Sequence, residues 1–206
     1  EAALAKANPT LSEAERSRLV GEFADQWQLV NATDVARDVI DRTILTPAVE
    51  TVETQFKDQP VVDAQLRQAL AAQYGTLVLY DKAMPLQERA LATRREVLGE
   101  EHPDTLDSIG QMGILLQGMG KLDEAEPYYR EALEKRRRVL GDEHPDTLTS
   151  ISNMDFLLQG QGKLAEAEPY AREALEIRRR VLGDLDPNTL LSISNMCTVI
   201  MFQGRL

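Results

Sequence analysis

Residues 98–139 read LGEEHPDTLDSIGQMGILLQGMGKLDEAEPYYREALEKRRRV, and residues 140–181 read LGDEHPDTLTSISNMDFLLQGQGKLAEAEPYAREALEIRRRV. The two stretches agree at 32 of 42 positions, so an internal repeat governs the reading of everything around it. A third copy opens at Leu182 (LGDLDPNTLLSISNMCTVIMFQGRL) and runs to Leu206. A degenerate earlier copy covers about 61–97, with Tyr80, Ala83, Pro85, Ala90 and Leu91 on the same lattice.

Each copy divides into two helices. Helix A opens at the HPDT box, where proline suits the first helical turn and Asp104 or Asp146 meets the positive helix end. Apolar residues follow at helical spacing, as in Leu106, Ile109, Met112 and Leu116. The QGMGK or QGQGK segment ends helix A. Helix B carries Ala125, Tyr128, Ala132, Leu133 and Val139, and Gly141 stops it. The arginine runs 136–138 and 178–180 read as cations at the negative helix end, paired with neighbouring glutamates, with a phosphate or acidic-peptide contact as the alternative; Glu131–Lys135 and Glu134–Arg138 form i,i+4 pairs. Pro127 and Pro169 fall in the second turn of helix B and predict a local bend or a late start there.

Composition agrees with an all-α chain. Aromatics make up only 5% of the 206 residues, and most of the twelve glycines and nine prolines recur at fixed spacing. A net charge of −11 argues against a nucleic-acid or anionic-membrane surface and mildly favours basic or apolar partners. Cys197 is the only cysteine, which excludes an internal disulfide and fits a reducing, cytoplasmic setting. No stretch is apolar for long enough to span a bilayer, and no secretory signal is present. The chain opens with Glu1 rather than methionine, so its native start is expected upstream.

Residues 1–60 lack the repeat. Thr10 with Glu13 forms a capping-box pattern, followed by a helix over about 11–30 with Leu19, Phe23, Trp27 and Val30 on one stripe. Thr33 reads as the next cap. Residues 34–57 then read as helix interrupted at Pro47, with Thr46 capping the restart and Gln59-Pro60 ending it. The expected organisation is an N-terminal helical cap over 1–60 and a repeat array over 61–206, divided as 61–97, 98–139, 140–181 and a truncated 182–206.

Three features invite a chemical reading. Gly118-Met119-Gly120-Lys121 and Gly160-Gln161-Gly162-Lys163 suggest a phosphate loop, but leucine follows each lysine and no strand precedes, so they read as turns between helices. His102 and His144 share one repeat position with Asp186; two ligands from separate turns are too few for a metal, and all three suit a helix cap. No carboxylate pair or Ser/His/Asp arrangement stands out. No enzyme activity, cofactor or metal is expected.

Ten positions differ between the two full copies, five of them in helix A. Four of those five, 107/149, 110/152, 111/153 and 114/156, follow i, i+3, i+4, i+7 and form one stripe. The stripe comprises Asp107, Gly110, Gln111 and Ile114, then Thr149, Ser152, Asn153 and Phe156, then Leu191, Ser194, Asn195 and Thr198. It carries one charge in twelve residues, whereas both B helices are densely charged. Amides, hydroxyls and a few apolar groups suit an extended peptide.

The small-residue pattern Gly162, Leu164, Ala167 and Ala174 resembles the tetratricopeptide repeat, and the 42-residue period with its LGxxHPDTL linker resembles the kinesin-light-chain form. The resemblance covers about 61–206. It implies paired antiparallel helices in a right-handed superhelix and a concave groove lined by A helices that binds a protein or peptide. An asparagine at the place of Asn153 and Asn195 then holds ligand backbone; Gln111 could serve in copy one, but Ala69 could not in the earliest copy. The small residue of helix A is Gly113 in one copy but Asp155 and Cys197 in the next two, which predicts looser packing there. Residues 36–60, ARDVIDRTILTPAVETVETQFKDQP, resemble the region preceding such arrays in bacterial eukaryotic-like serine/threonine kinases, although no kinase motif is present. The last helix A lacks its partner, leaving Leu190, Ile193, Met196 and Ile200 partly uncovered and predicting self-association through that end.

Overall fold

The computed structural model describes residues 32–204 together with Ser12, Ala14, Glu15 and Arg18. Every regular element among the described residues is helical. The chain forms two compact units, residues 1–48 and 49–206.

In the first unit, Ser12 and Glu15 form a reciprocal cap. The Ser12 amide and hydroxyl donate to Glu15 Oε2 at 2.9 and 2.7 Å, and the Glu15 amide donates to Ser12 Oγ at 3.3 Å. The expected box at Thr10 and Glu13, and most of the helix over 11–30, lie outside the described residues. Helix α1 spans Ala32–Ile40, so Thr33 lies inside its first turn rather than capping it. The break expected at Pro47 is replaced by a π-helical turn over Asp41–Leu45 that leads straight into α2, Thr46–Gln55. Thr46 is itself helical, with φ −60° and ψ −49°, and its hydroxyl donates to Asp41 Oδ1 at 2.9 Å. One widened turn accommodates a proline that would otherwise collide with the carbonyl four residues back.

The second unit is a right-handed α-solenoid. Its helices are α3 Pro60–Thr76, α4 Tyr80–Leu98, α5 Pro103–Gly118, α6 Leu122–Leu140, α7 Pro145–Gly160, α8 Leu164–Leu182 and α9 Pro187–Phe202. Odd members from α3 onward are A helices, even members are B helices, and each packs on its neighbours in sequence. The A helices start as the HPDT box requires, with proline at the first helical position. His102 and His144 cap them through Nδ1, which accepts from the amides of Asp104 and Asp146 at 3.2 Å; Asp186 does the same for Asn188 at 2.8 Å. Helix α6 begins at Leu122 and α8 at Leu164, five residues ahead of Pro127 and Pro169, so the B helices do not start late.

Packing follows the repeat. Leu106, Ile109, Met112 and Leu116 on α5, and Leu148, Ile151, Met154 and Leu158 on α7, are all at most 3% exposed. Against them pack the buried Ala125, Ala132 and Leu133 of α6 and Ala167 and Ala174 of α8. Val139 is the exception among the expected helix B positions, standing exposed.

The A-to-B turns need a left-handed residue. Gly120, Gly162 and Gly204 supply it with φ of 76°, 75° and 68°. The same position in the first pair is Val78, at φ 62° and largely exposed. A β-branched residue is strained there by roughly 1–2 kcal/mol. Val78→Gly is therefore expected to raise stability by about 1 kcal/mol despite the added freedom of the unfolded chain, read as a higher urea midpoint at unchanged slope.

Candidate functional site

Each helix B ends on two or three cations, and they do more than meet a helix end. The first is buried: Arg94, Arg136 and Arg178 are only 4%, 6% and 7% exposed. Each ties two successive A helices together. Arg136 Nη1 donates to Ser150 Oγ at 2.8 Å and to the Asp146 carbonyl at 3.3 Å on α7, while Nη2 lies 3.6 Å from Asp107 on α5. Arg178 Nη1 donates to Ser192 Oγ on α9 at 2.6 Å, and Nη2 to the Leu148 carbonyl on α7 at 3.3 Å. Arg94 Nη1 reaches Gln68 Oε1 on α3 at 2.6 Å, and Ser108 Oγ and the Asp104 carbonyl on α5 at 2.8 and 2.9 Å. Burial pulls the pKa of Arg136 and Arg178 down; Asp107 and Asp146 oppose this at Arg136, and Asp186 at Arg178.

The other cations of the runs join B helices and linkers across repeats. Arg95 pairs with Glu131 at 2.7 Å and Arg137 with Glu173 at 2.6 Å, one repeat on. Arg138 and Arg180 reach back to Glu101 and Glu143 at 2.5 and 2.7 Å. Of the two expected i,i+4 pairs, Glu131–Lys135 forms at 2.6 Å, whereas Arg138 is drawn to Glu101 instead of Glu134. These exposed and half-exposed pairs contribute about 1 kcal/mol or less each and serve mainly to set the register of neighbouring repeats. On the turn side Gln161 donates to Asp123 and Glu126, both at 3.0 Å. The hydrogen bonds from Gln161 and Arg130, with Lys163 beside them, hold the Glu126 carboxyl down at about 2.

The small-residue position of helix A is packed tightly at Gly113 and Asp155, not loosely, whereas Cys197 at the same position of α9 stands exposed. A Cβ at Gly113 would lie 2.6 Å from ring carbons of Tyr129, which is buried and donates from its hydroxyl to Gln117 Oε1 at 2.7 Å. One repeat on, Asp155 fills the gap and Ala171 stands where Tyr129 did, so bulk has moved from one helix to the other. Gln159, in the place of Gln117, turns to donate to Asp155 Oδ1 at 2.8 Å. Both 113/155 and 129/171 are among the ten differing positions, a signal that could have exposed the exchange in advance.

Asp155 is 1% exposed and its Oδ2 has no hydrogen-bond partner. Burial raises its pKa from the ordinary carboxylate range to about 6, the Gln159 hydrogen bond working the other way. The folded protein therefore binds this proton more tightly than the unfolded chain. The group favours folding below about pH 4, and that contribution is lost as pH rises through 6. Asp155→Asn is expected to flatten this slope and to add about 1–3 kcal/mol at pH 7, measured by urea unfolding at pH 4.5 and 7.

The stripe residues divide into engaged and unengaged side chains. Asp107 is tied down: Gln68 Nε2 donates to its Oδ2 at 2.5 Å, and Arg136 lies on its other side. Gly110 lies over the Arg136 guanidinium, whose nitrogens sit 3.7–3.8 Å from where its Cβ would be. Ser152 is buried and bonded to the Leu148 carbonyl, while Thr149 and Thr198 back-bond to the carbonyls of Pro145 and Ser194. In contrast, the amides of Gln111, Asn153 and Asn195 make no side-chain hydrogen bond among the described residues. Gln111 and Asn153 are half-buried and Asn195 is buried. Ile114 and Phe156 stand beside them, 44% and 42% exposed, and Leu191 is exposed on α9.

No helix among the described residues is long and apolar enough to cross a membrane. No curated protein matches the chain in sequence. Solved structures resemble it in fold. A Podospora anserina protein described as a kinesin light chain with nearly identical TPR-like repeats is 23% identical over 71% of this chain and 69% of its own, at a TM-score of 0.66. BtubC (BKLC) from P. vanneervenii is 22% identical over 98% of this chain and 78% of its own, at a TM-score of 0.69. The tetratricopeptide-repeat family matches at residues 65–104, 105–146 and 147–188, consecutive units in step with the helix pairs above. Matched over more than half its length, and built on the 42-residue, kinesin-light-chain-like spacing, the chain belongs to the tetratricopeptide-repeat family.

Proposed function

We propose that the chain is a non-catalytic scaffold that takes an extended peptide or a helix of a protein partner along the stripe of its A helices. Repeats of this family bind protein partners and act without catalysis. The observation that carries the reading is the unengaged amide series Gln111, Asn153 and Asn195, set at successive repeat positions beside the exposed Ile114 and Phe156. A half-buried amide left unpaired by its own protein can give both a donor and an acceptor to a ligand backbone. Asp107, Thr149, Ser152 and Thr198 complete the groove as its walls. A pull-down comparing wild type with the Asn153→Ala, Asn195→Ala double variant tests this: partners should be lost from the variant, and equal recovery rejects the groove.

Two other readings rest on single features. The resemblance of residues 36–60 favours the regulatory region of a bacterial serine/threonine kinase, and the reading frame upstream decides it. Exposed Leu190, Met201 and Phe202 on α9 favour self-association, which a strictly monomeric species in light scattering at high concentration rejects. A cytoplasmic setting suits the lone thiol of Cys197.

A further inference from the structure

This inference rests on the groove reading above and names the chemistry of its occupant. The buried guanidiniums beneath the stripe are not equally provided for. Arg94 has Gln68 Oε1 at 2.6 Å, and Arg136 has the carboxylate of Asp107 at 3.6 Å. Arg178 has neither. In its repeat the place of Asp107 is taken by Thr149, whose hydroxyl donates to Pro145, and the place of Gln68 by Ser152, whose hydroxyl donates to Leu148. Among the described residues the hydrogen bonds of Arg178 go to two neutral oxygens, Ser192 Oγ and the Leu148 carbonyl, and use two of its five N–H groups. A guanidinium that is 7% exposed, with no carboxylate in contact and only Asp186 acting on it from further off, is a costly arrangement, and one that an arriving anion relieves.

Asp107 is itself a stripe residue, its side chain 49% exposed, and it reaches Arg136 from there. At the next junction the matching approach passes over Thr149, which is exposed. We propose that the ligand brings the missing anion: an extended peptide with an acidic side chain lying over Thr149, its carboxylate pairing with Arg178 as Asp107 pairs with Arg136. Phe156, further along the same stripe, offers apolar surface to a neighbouring side chain of that peptide. The net charge of −11 opposes a ligand that is acidic throughout, so the carboxylate sits in an otherwise neutral or basic segment.

The test is selection from a displayed library of random decapeptides on wild type and on Thr149→Asp, which supplies its own carboxylate. Wild type should select peptides that share one Asp or Glu, and changing that acid to its amide should weaken binding about tenfold or more. Thr149→Asp should lose the acidic preference. It should also melt at a higher temperature than wild type, a gain that disappears when Arg178→Met is added. Selected peptides without a shared acid, amide peptides that bind equally well, or no gain in melting temperature would overturn the proposal and leave the groove standing. Failure of both proteins to select any peptide removes the groove and the proposal together.

Discussion

Gly113→Asp alone is expected to destabilise the array by about 3 kcal/mol or more, because the new side chain meets the Tyr129 ring and brings an unpaired carboxylate into the interior. Tyr129→Ala alone is expected to cost about 3–5 kcal/mol through the cavity it opens and the lost hydrogen bond to Gln117. The double variant recreates the pair that already exists 42 residues later, Asp155 facing Ala171, with Gln117 free to bond the new aspartate as Gln159 does. It should lie within about 2 kcal/mol of wild type, so the two losses fail to add by several kcal/mol. Urea unfolding of the four proteins reads this directly. Additive losses would mean that the helix pairs are not packed in equivalent register.

The second large effect is at Arg136. Replacing it by alanine removes a buried guanidinium, strands Ser150 Oγ and the Asp146 carbonyl, and strips the packing of the side-chain stem. A loss of about 2–4 kcal/mol is expected. Arg136→Met keeps the volume of the stem and should recover about half of that loss. Both variants falling within about 0.5 kcal/mol of wild type would show that the arginine does not fasten α5 to α7.

Those two positions mark the division between what was legible in the sequence and what was not. The helix boundaries were legible because proline after His102 and His144, and glycine at 120 and 162, recur at one spacing and impose one backbone conformation each time. The core arc of Ile109, Met112 and Leu116 was legible because periodicity alone selects it. The arginines were not: three cations before a helix-ending glycine look like a solvated end, and nothing in one strand of sequence says that the first of them turns inward to the next repeat. Nor was the π turn before Pro47, which lets a helix continue where proline would ordinarily break it.

The stripe was legible in part. Differences between the two copies picked out Gln111, Asn153, Ile114 and Phe156, side chains that face outward and are not bonded to the protein. The same differences picked out Asp107 and Ser152, whose groups are already committed to Gln68 and Arg136 and to the Leu148 carbonyl. Variation between copies responds to a neighbour's change as readily as to a ligand, and only geometry separates the two causes.

Recognition along the stripe requires that partners meet the A helices and not the B helices. A photo-crosslinking residue placed at Phe156, on the exposed stripe of α7, and in a second protein at Glu176, on the exposed face of α8, tests this most directly. Capture of a partner from position 156 and not from 176 is the predicted result. Capture from 176 with none from 156 would contradict it.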